Sequence, residues 1–276
     1  MKHIGLIENR GKNETRTLSE KISRYLEGLG VECHRSSYGE DLPSCCECVL
    51  VLGGDGTLLQ AAKIVLEEQI PILGINLGTL GYLAEIEKDH IFPALDKLLA
   101  GDYTIERRMM LQGTVIHNGE RGSRDVALND LIIKGRIPLR RYRINNYVNN
   151  ELLNSMSADG IIVATATGST GYSLSVGGPI VSPQAEITML TPIACHSLVS
   201  GRSIILSGTD TIRVEIGEGR TGFEQGAAAV LFDGENEILL DTGDSVEIRK
   251  STKYTNIIKI NNISFLEVLR NKMAES

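Results

Sequence analysis

The sequence lacks the features that mark membrane-spanning, secreted and nucleic-acid-binding proteins. No apolar run approaches the ~20 residues that a helix needs to span a bilayer, and Glu8 comes too early for the apolar core of a secretory signal. A net charge of −7 supplies no overall field that would hold a nucleic acid. We therefore expect a cytoplasmic protein that binds neither a membrane nor a nucleic acid.

The five cysteines lack the spacing of a disulfide-stapled domain. Their number is odd, and three of them crowd into the segment 45–48. Two interpretations are open: ordinary reduced cysteines, or a metal site formed by Cys45, Cys46 and Cys48 with His34 as the nearest fourth ligand. Because paired zinc-binding cysteines are usually separated by about two to four residues, the spacing favours reduced cysteines, and we assign no metal ligands.

The first hundred residues alternate between strand-like and helix-like segments. Apolar runs predict strands, and apolar residues at three- and four-residue spacing predict helices between them. Such alternation predicts an α/β domain with a parallel, doubly wound sheet, in which ligands bind beyond the carboxyl ends of the strands. We place this domain at 1–103. Its predicted strands are 3–8, 31–35, 48–52 and 71–76, and its later helices are 57–68 and 89–99, the last capped by Asp89.

The pattern changes after about residue 103, where short strands follow one another and helical periodicity nearly disappears. The strands are separated by turn dipeptides such as Asn118-Gly119 and Asp233-Gly234. We therefore predict an all-β domain at 104–251. The last residues, about 252–276, are expected to pack back on the first domain. The predicted strands are 126–134, 142–148, 160–165, 204–206, 211–216, 228–232 and 245–250.

A glycine-rich turn follows the most apolar strand of the first domain. Gly53, Gly54, Gly56 and Thr57 surround Asp55, and helical composition resumes directly afterwards. Glycine lets backbone N–H groups approach a phosphate, and a helix N-terminus adds partial positive charge, so the four residues are candidate phosphate ligands. A carboxylate repels phosphate unless it binds a metal, orients a hydroxyl or accepts a proton, so Asp55 indicates catalysis. A tight strand-to-helix turn with an acid near the helix start is the alternative interpretation.

A second polar constellation lies in the predicted all-β domain. The segment 157–179 runs from a strand into a loop dense in hydroxyls and glycines, with Tyr172 offering an aromatic face. Upstream, Asn129 and Asp130 offer an amide suited to an adenine edge and a carboxylate suited to ribose hydroxyls. Taken singly, the pair is also typical of a turn, and the loop hydroxyls are typical of a cap.

Taken together, these residues resemble the NAD kinase family in its bacterial form. The resemblance implies transfer of the terminal phosphoryl of ATP, or of polyphosphate, to the 2′-hydroxyl of the adenosine ribose of NAD. It also implies the two-domain fold predicted above, a divalent metal such as Mg²⁺ with the phosphoryl donor, and a homodimer or homotetramer whose NAD site a second subunit completes. The segments that carry the resemblance are 53–57, 74–76, 80–83, 129–130, 167–172, 177–180 and 191–198.

The resemblance also implies roles for individual residues. Asp55 would meet the 2′-hydroxyl as a general base or orienting group, and Asp159, Ala194 and His196 would reach NAD from the neighbouring subunit. The residues that would contact NAD within one subunit are Gly56, Leu59, Tyr82, Leu83, Asn129, Asp130, Thr167, Thr170, Gly171, Tyr172 and Ser175. The chain departs from the usual family pattern at Ala166, Gly171 and Cys195, where proline, alanine and proline are common.

Two other functions fit part of the sequence. Lipid kinases and phosphofructokinases also use a glycine-glycine-aspartate-glycine turn, which leaves another phosphoryl acceptor open. A non-catalytic sensor of nicotinamide nucleotides, with Asp55 serving only to bind a ribose, is the second alternative. A purely structural protein is disfavoured, because two glycine-rich loops with carboxylates at strand ends cost stability.

Overall fold

The computed structural model describes residues 1–8, 13–37, 42–78, 81–137, 142–195, 201–218, 224–261 and 263–274. The chain forms two compact units. The first consists of Met1–Arg108 and Lys253–Ser276, and the second of Met109–Thr252. No helix among the described residues is long and apolar enough to cross a membrane.

The first unit is an α/β structure, as predicted. Its short 3₁₀ turn, Lys88–His90, precedes the third helix. The strands are β1 (His3–Glu8), β2 (Glu32–Ser37), β3 (Cys48–Leu52), β4 (Ile72–Asn76) and β5 (Ile86–Glu87). The helices are α1 (Asn13–Gly28), α2 (Asp55–Ile64) and α3 (Ile91–Ala100).

The strands of this unit form a parallel sheet in the order β4-β3-β1-β2, with β5 beside β4. All five residues of β3 are buried, which explains why the strand reads as an unbroken apolar run. Ile22 and Leu26, one turn apart on α1, are fully buried in the same core as Leu50. The predicted parallel sheet is therefore confirmed.

Two helix starts differ from the prediction. The helix predicted at 57–68 begins at Asp55 and ends at Ile64, so Asp55 lies in the first helical turn. The helix predicted at 89–99 begins at Ile91 after His90, and no side chain of the described chain caps it. Asp89, the predicted cap, lies inside the 3₁₀ turn Lys88–His90, and His90 takes the N-cap position instead.

The second unit is built from antiparallel strands, and its described residues include one short helix and a 3₁₀ turn at Thr167–Thr170. The first strands are β6 (Thr104–His117), β7 (Glu120–Ala127), β8 (Asp130–Gly135), β9 (Tyr142–Val148), β10 (Glu151–Ala158) and β11 (Gly160–Thr165). After α4 (Tyr172–Ser175) come β12 (Ile187–Ile193), β13 (Ile204–Ser207), β14 (Ile212–Gly217), β15 (Ala228–Phe232), β16 (Glu235–Leu240) and β17 (Ser245–Lys259).

Six of these strands form one antiparallel sheet in the order β13-β12-β11-β8-β15-β16. The strands β10, β9, β14 and the start of β17 pair in that order in a second antiparallel layer. A buried core that includes Leu131, Val163, Val214 and Phe232 draws side chains from both layers. The predicted all-β part of the fold is confirmed.

Two predicted strands differ from the structure by more than a shift of one or two residues at an end. The strand predicted at 126–134 is divided between β7 and β8 by a turn at Leu128 and Asn129. Conversely, the strand predicted at 245–250 continues as one strand, β17, to Lys259. The last helix, α5 (Phe265–Ala274), belongs to the first unit and has no fully buried residue.

A buried carboxylate fastens the end of β17 within the first unit. Glu85 is 3% exposed and forms an ion pair with Lys259. Its Oε1 also accepts the backbone N–H groups of Ile260, at 3.2 Å, and Asn261, at 2.9 Å. Burial raises the pKa of Glu85, while Lys259 and the two amides oppose that rise. The charged form of Glu85 therefore depends on its partners.

Replacing Lys259 with methionine should destabilise the protein by about 3 kcal/mol, because it leaves the Glu85 carboxylate buried without its cation. The free energy of unfolding is measured by urea denaturation. The double variant Glu85→Gln/Lys259→Met should lose less stability than Lys259→Met alone, since a glutamine oxygen still accepts the two backbone N–H groups. Lys253→Met is the matched control: its ion pair is with the exposed Glu67, so we expect a loss below about 1 kcal/mol. Equal losses for the two lysines would contradict this account.

Candidate active site

The glycine turn after β3 leads directly into α2. Gly53 donates its N–H to Ile75 O, at 3.0 Å, and thereby anchors the start of the turn on the neighbouring strand. Thr57 donates its N–H to Gly54 O, also at 3.0 Å. The amides of Gly53 and Thr57 are thus used within the fold. The first amides of a helix lack intrahelical acceptors, so those of Gly54, Asp55 and Gly56 can meet an anion.

The Asp55 carboxylate is held by the backbone of a second loop. Its Oδ2 accepts the N–H of Tyr82 at 3.0 Å, and its Oδ1 accepts the N–H of Leu83 at 3.2 Å. A Cβ on Gly81 would lie 2.1 Å from Asp55 Oδ1, so only glycine allows this approach. Each carboxylate oxygen keeps further acceptor capacity. Asp55 is therefore a half-buried, oriented acceptor beside the glycine turn.

The residues around Asp55 differ in exposure. Leu83 is buried, Gly56 is exposed, and Leu59 and Tyr82 are half-buried. The Tyr82 ring lies 6.4 Å from the ring of Phe265, which belongs to α5. Burial raises the pKa of Tyr82, and the Asp55 charge raises it further, which keeps the phenol neutral. This part of the first unit brings together Asp55 with the four neighbours that the sequence predicted.

A carboxylate that the sequence analysis missed shapes the second polar loop. Asp233 accepts the backbone N–H groups of Leu128, Asn129 and Asp130 at distances between 2.7 and 3.1 Å. Asp233 has φ of 53° and Gly234 has φ of 78°, as a tight hairpin turn requires. The dipeptide Asp233-Gly234 identified a turn in the sequence. The role of the Asp233 side chain could not be predicted from the sequence, because the three amides that it binds lie more than a hundred residues earlier.

The hydroxyl-rich loop after β11 packs directly on the same turn. Thr165 donates its N–H to Asn129 O at 2.8 Å, and its hydroxyl donates to Leu128 O at 2.6 Å. A Cβ on Gly168 would lie 2.2 Å from Asn129 O, so glycine is required for this close contact. Position 171 lies nearby as well: a Cβ there would be 3.4 Å from Asn129 Nδ2. The second unit therefore brings the predicted Asn129 and Asp130 together with Thr167, Thr170 and Gly171.

Both halves of the chain match one family. Residues 34–103 match the family model of the ATP-NAD kinase N-terminal domain, and residues 128–260 match that of the ATP-NAD kinase C-terminal domain. The chain belongs to the NAD kinase family. The resemblance of the sequence to this family is thereby confirmed. The family is one of phosphotransferases, so the chain is an enzyme.

Similar proteins match along their whole length. The chain is 45% identical over 284 residues to an NAD kinase of Agathobacter rectalis, with 99% of each chain covered. It is 42% identical over 294 residues to an NAD kinase of Lachnospira eligens, with 99% of this chain and all of the relative covered.

Solved structures of NAD kinases share the fold. Yeast NADH kinase complexed with NADH matches 99% of this chain and 88% of its own, with a TM-score of 0.88 and 22% identity. An NAD kinase from Archaeoglobus fulgidus in complex with ATP matches 99% of each chain, with a TM-score of 0.80 and 24% identity. The two-domain NAD kinase fold is thereby confirmed.

The structure separates two groups of the residues that the NAD kinase resemblance assigned to NAD. Thr165, at the end of β11, is bonded to Asn129, whereas Asp159 precedes β11 and donates its N–H to Ile193 O at 3.0 Å. Six residues of extended strand put roughly 17 Å between the two ends of β11. Ala194, exposed with φ of 49°, lies at the Asp159 end. Asp159 and Ala194 are therefore not brought together with Asn129 in one chain.

Two further residues predicted to bind NAD, Tyr172 and Ser175, are exposed on the second unit. Tyr172 is 41% exposed, at the start of the short helix α4. Ser175 is exposed at the end of that helix. His196 lies outside the described residues.

Asp130 has an unusual environment for a carboxyl group. Its side chain is 4% exposed, and burial raises its pKa to about 7, with the nearby Asp233 charge adding to the rise. Asn129 Oδ1 is buried and has no hydrogen-bond partner among the described residues. The turn thus presents a carboxyl group that holds its proton near neutral pH, next to an unpaired amide oxygen. Both features suit a polar ligand.

The raised pKa of Asp130 predicts a pH-dependent stability. Between about pH 4 and about pH 7, folded Asp130 keeps a proton that the unfolded chain has lost, so raising the pH weakens the folded state. Above about pH 7 the group adds no further loss. As the pH rises through this window, the free energy of unfolding of the wild type should fall, relative to that of Asp130→Asn, by up to about 1.4 kcal/mol per pH unit.

Urea unfolding at about pH 5 and about pH 8 measures this difference. Asp102→Asn, at an exposed position of the first unit, is the control and should follow the wild type at both values. A constant gap between the wild type and Asp130→Asn would show that Asp130 ionises as an ordinary aspartate.

Proposed function

We propose that this NAD kinase family member transfers the terminal phosphoryl of ATP to the 2′-hydroxyl of the adenosine ribose of NAD, giving NADP. The observation that carries the proposal is the Asp55 carboxylate, held by the Tyr82 and Leu83 amides beside a glycine turn at the start of α2. Relatives named NAD kinase along the full chain support the acceptor, and they offer nothing for a lipid or sugar acceptor or for a sensor.

Asp55 would act on the attacking hydroxyl. The ribose 2′-oxygen forms a bond to the terminal phosphorus while the bond from that phosphorus to the ADP oxygen breaks. The hydroxyl proton passes to a carboxylate oxygen of Asp55 as the new bond develops. The amides of Tyr82 and Leu83 fix the direction of that carboxylate without neutralising it. General-base assistance of this kind is worth roughly two to four orders of magnitude in rate.

The amides of Gly54, Asp55 and Gly56 would bind phosphate oxygens at the N-terminus of α2. Their N–H groups and the helix dipole favour an anion there. Gly53 and Thr57 would shape the turn, since both of their amides are bonded within the fold. Inorganic polyphosphate presents the same terminal phosphoryl group as ATP, so it is the second donor to test.

A divalent cation such as Mg²⁺ fits this site as part of the donor. Between Gly53 and Leu59 and from Gly81 to Leu83, Asp55 is the one carboxylate among the described residues, and both its oxygens accept amides. Magnesium usually keeps waters and binds substrate phosphates with only one or two carboxylates. When bound, the ion offsets the charge of the donor phosphates. Asp55 is the residue of these two loops that could contact it.

The loops of the second unit would bind the adenosine part of NAD. Asn129 offers an amide whose buried oxygen lacks a partner, and Asp130 offers a carboxyl group able to donate or accept a hydrogen bond to a ribose hydroxyl. Thr167, Thr170 and Gly171 would continue the same wall, because their loop packs on the Asn129 turn. Tyr172 and Ser175 are exposed and so accessible to the dinucleotide.

A second subunit would complete the NAD site. Asp159 and Ala194 lie at the far end of β11 from Asn129, so a ligand held by Asn129 would reach them more readily on a neighbouring chain. A homodimer or homotetramer in which each chain contributes both sets satisfies this requirement.

A cytoplasmic location belongs to the same proposal. All five cysteines are free, and thiols persist in a reducing compartment.

Replacing Asp55 with asparagine should lower turnover by roughly two to four orders of magnitude while NAD binding persists. NADP formation is followed with an NADP-specific dehydrogenase, using NAD, Mg²⁺ and either ATP or polyphosphate. An asparagine amide would face one of the two backbone N–H groups, so NAD binding and unfolding are measured on the same variant. Near wild-type turnover would refute the role of Asp55. NAD binding by the wild type without product from either donor would favour a sensor.

Mixing two inactive variants tests the shared site. In a dimer of Asp55→Asn and Asp159→Ala chains, one of the two sites has both an intact Asp55 and an intact Asp159. Random assembly should therefore restore about a quarter of the wild-type sites. Co-expressed, differently tagged chains are assayed against each variant alone. An active Asp159→Ala homodimer, or no recovery in the verified mixture, would contradict a contribution from the second subunit.

A further inference from the structure

Four potential metal ligands converge at the start of the parallel sheet, away from the glycine turn. Three of them are placed by strand register. His3 of β1 is paired with Glu32 of β2, and Gly5 is paired with His34. Because side chains alternate along a strand, Glu32 and His34 lie on the same face of β2. That face also carries His3, whose Nδ1 is 3.4 Å from Glu32 Oε2.

The fourth group is the exposed thiol of Cys45. A turn in which Cys46 donates its N–H to Pro43 O shapes this segment. The N–H of Glu47, two residues after Cys45, donates to His3 O at 2.9 Å and holds the segment against β1. Cys45 Sγ then lies 3.9 Å from His34 Nε2. Cys46 and Cys48 are buried, so the cluster of three cysteines contributes one ligand.

The distances match the edges of a metal tetrahedron. His3 Nδ1 and His34 Nε2 are 3.3 Å apart, and His34 Nε2 is 3.7 Å from Glu32 Oε1. With metal–nitrogen distances of about 2.0–2.1 Å and metal–sulfur distances of about 2.3 Å, neighbouring ligands of a tetrahedral zinc ion lie about 3.3–3.6 Å apart. The ligand atoms of His3, His34 and Cys45 all lie within 4.8 Å of one another. The atoms of His3, His34 and Cys45 would need shifts of only a few tenths of an ångström along the measured edges. Glu32 lies outside this group of three and approaches the two imidazoles with different oxygens, so its exposed side chain would turn to supply one oxygen to the ion.

We propose that His3, Glu32, His34 and Cys45 bind a divalent cation of the zinc class. Two imidazoles, a thiolate and a carboxylate are the ligands that zinc prefers, whereas Mg²⁺ and Ca²⁺ prefer oxygen alone. The two anionic ligands balance the charge of the ion. Four protein ligands fill a tetrahedral shell, so the ion has a structural role. It fastens the Cys45 segment to β1 and to β2, the last strand of the parallel order. The proposal is independent of the function proposed above.

Cobalt is the probe, because tetrahedral Co²⁺ reports both geometry and sulfur ligation. The full chain without a histidine tag is stripped with a chelator, dialysed and titrated with Co²⁺. The wild type should bind one equivalent, with intense visible bands and a near-ultraviolet thiolate-to-cobalt charge-transfer band. Zn²⁺ should displace the cobalt and raise the Tm. Cys45→Ser should abolish the charge-transfer band, and Cys45→Ser and His34→Ala should each weaken binding at least about 100-fold.

Matched controls separate this site from other ligands. Cys33→Ser removes a thiol from the opposite face of β2, and His90→Ala removes an exposed imidazole; both should bind cobalt like the wild type. A second cluster, His117 with Asp241 and Asp244, offers one imidazole and two carboxylates. Cobalt binding that survives Cys45→Ser but is lost in His117→Ala would place the ion there and overturn the proposal. Absence of tetrahedral cobalt bands in the folded wild type would overturn it as well.

Discussion

Two carboxylates fix the segment from Gly81 to Glu87, and the candidate active site depends on that restraint. Asp55 holds the start of the segment through the amides of Tyr82 and Leu83. Glu85, four residues after Gly81, is buried and bonded to the chain beyond Lys259. A carboxylate that must orient a hydroxyl is useful only if its own direction is fixed. Here the backbone supplies that direction, and the last part of the chain supports the backbone.

The first unit shows which features a local pattern can predict. The apolar run of β3 and the glycines after it identified the strand, the turn and Asp55, because all three signals lie within a dozen residues. The partners of Asp55 come from a loop about 27 residues later, and no periodicity encodes such a contact. The start of α2 was misplaced by two residues for a related reason. Glycine disfavours a helix by intrinsic propensity, but the bonded Asp55 stabilises the first turn around Gly56.

In the second unit, tertiary contacts override the strand signal. The segment 126–134 reads as one apolar strand, but Asp233 binds three consecutive amides in its middle and creates the Asn129 turn. In this turn Asp130 is buried, with Asn129 against Gly168 and the Asp130 carboxyl group near Gly171. Asn129 and Asp130 were identified from residue type, whereas their distance from Asp159 required the strand order. The chemistry of these side chains was therefore predictable from the sequence. The placement of Asn129 and Asp159 at opposite ends of β11 was not.

The ion pair between Glu85 and Lys259 affects the order in which the two units can fold during synthesis. The first unit needs residues from both ends of the chain, and Met109–Thr252 is synthesised between them. At about 5–20 residues per second, a ribosome spends roughly 7 to 30 s on that interval. During it, the nascent first segment carries Glu85 and an exposed edge of β4 without the strand that later covers them. The second unit can fold first, although it begins later in the sequence.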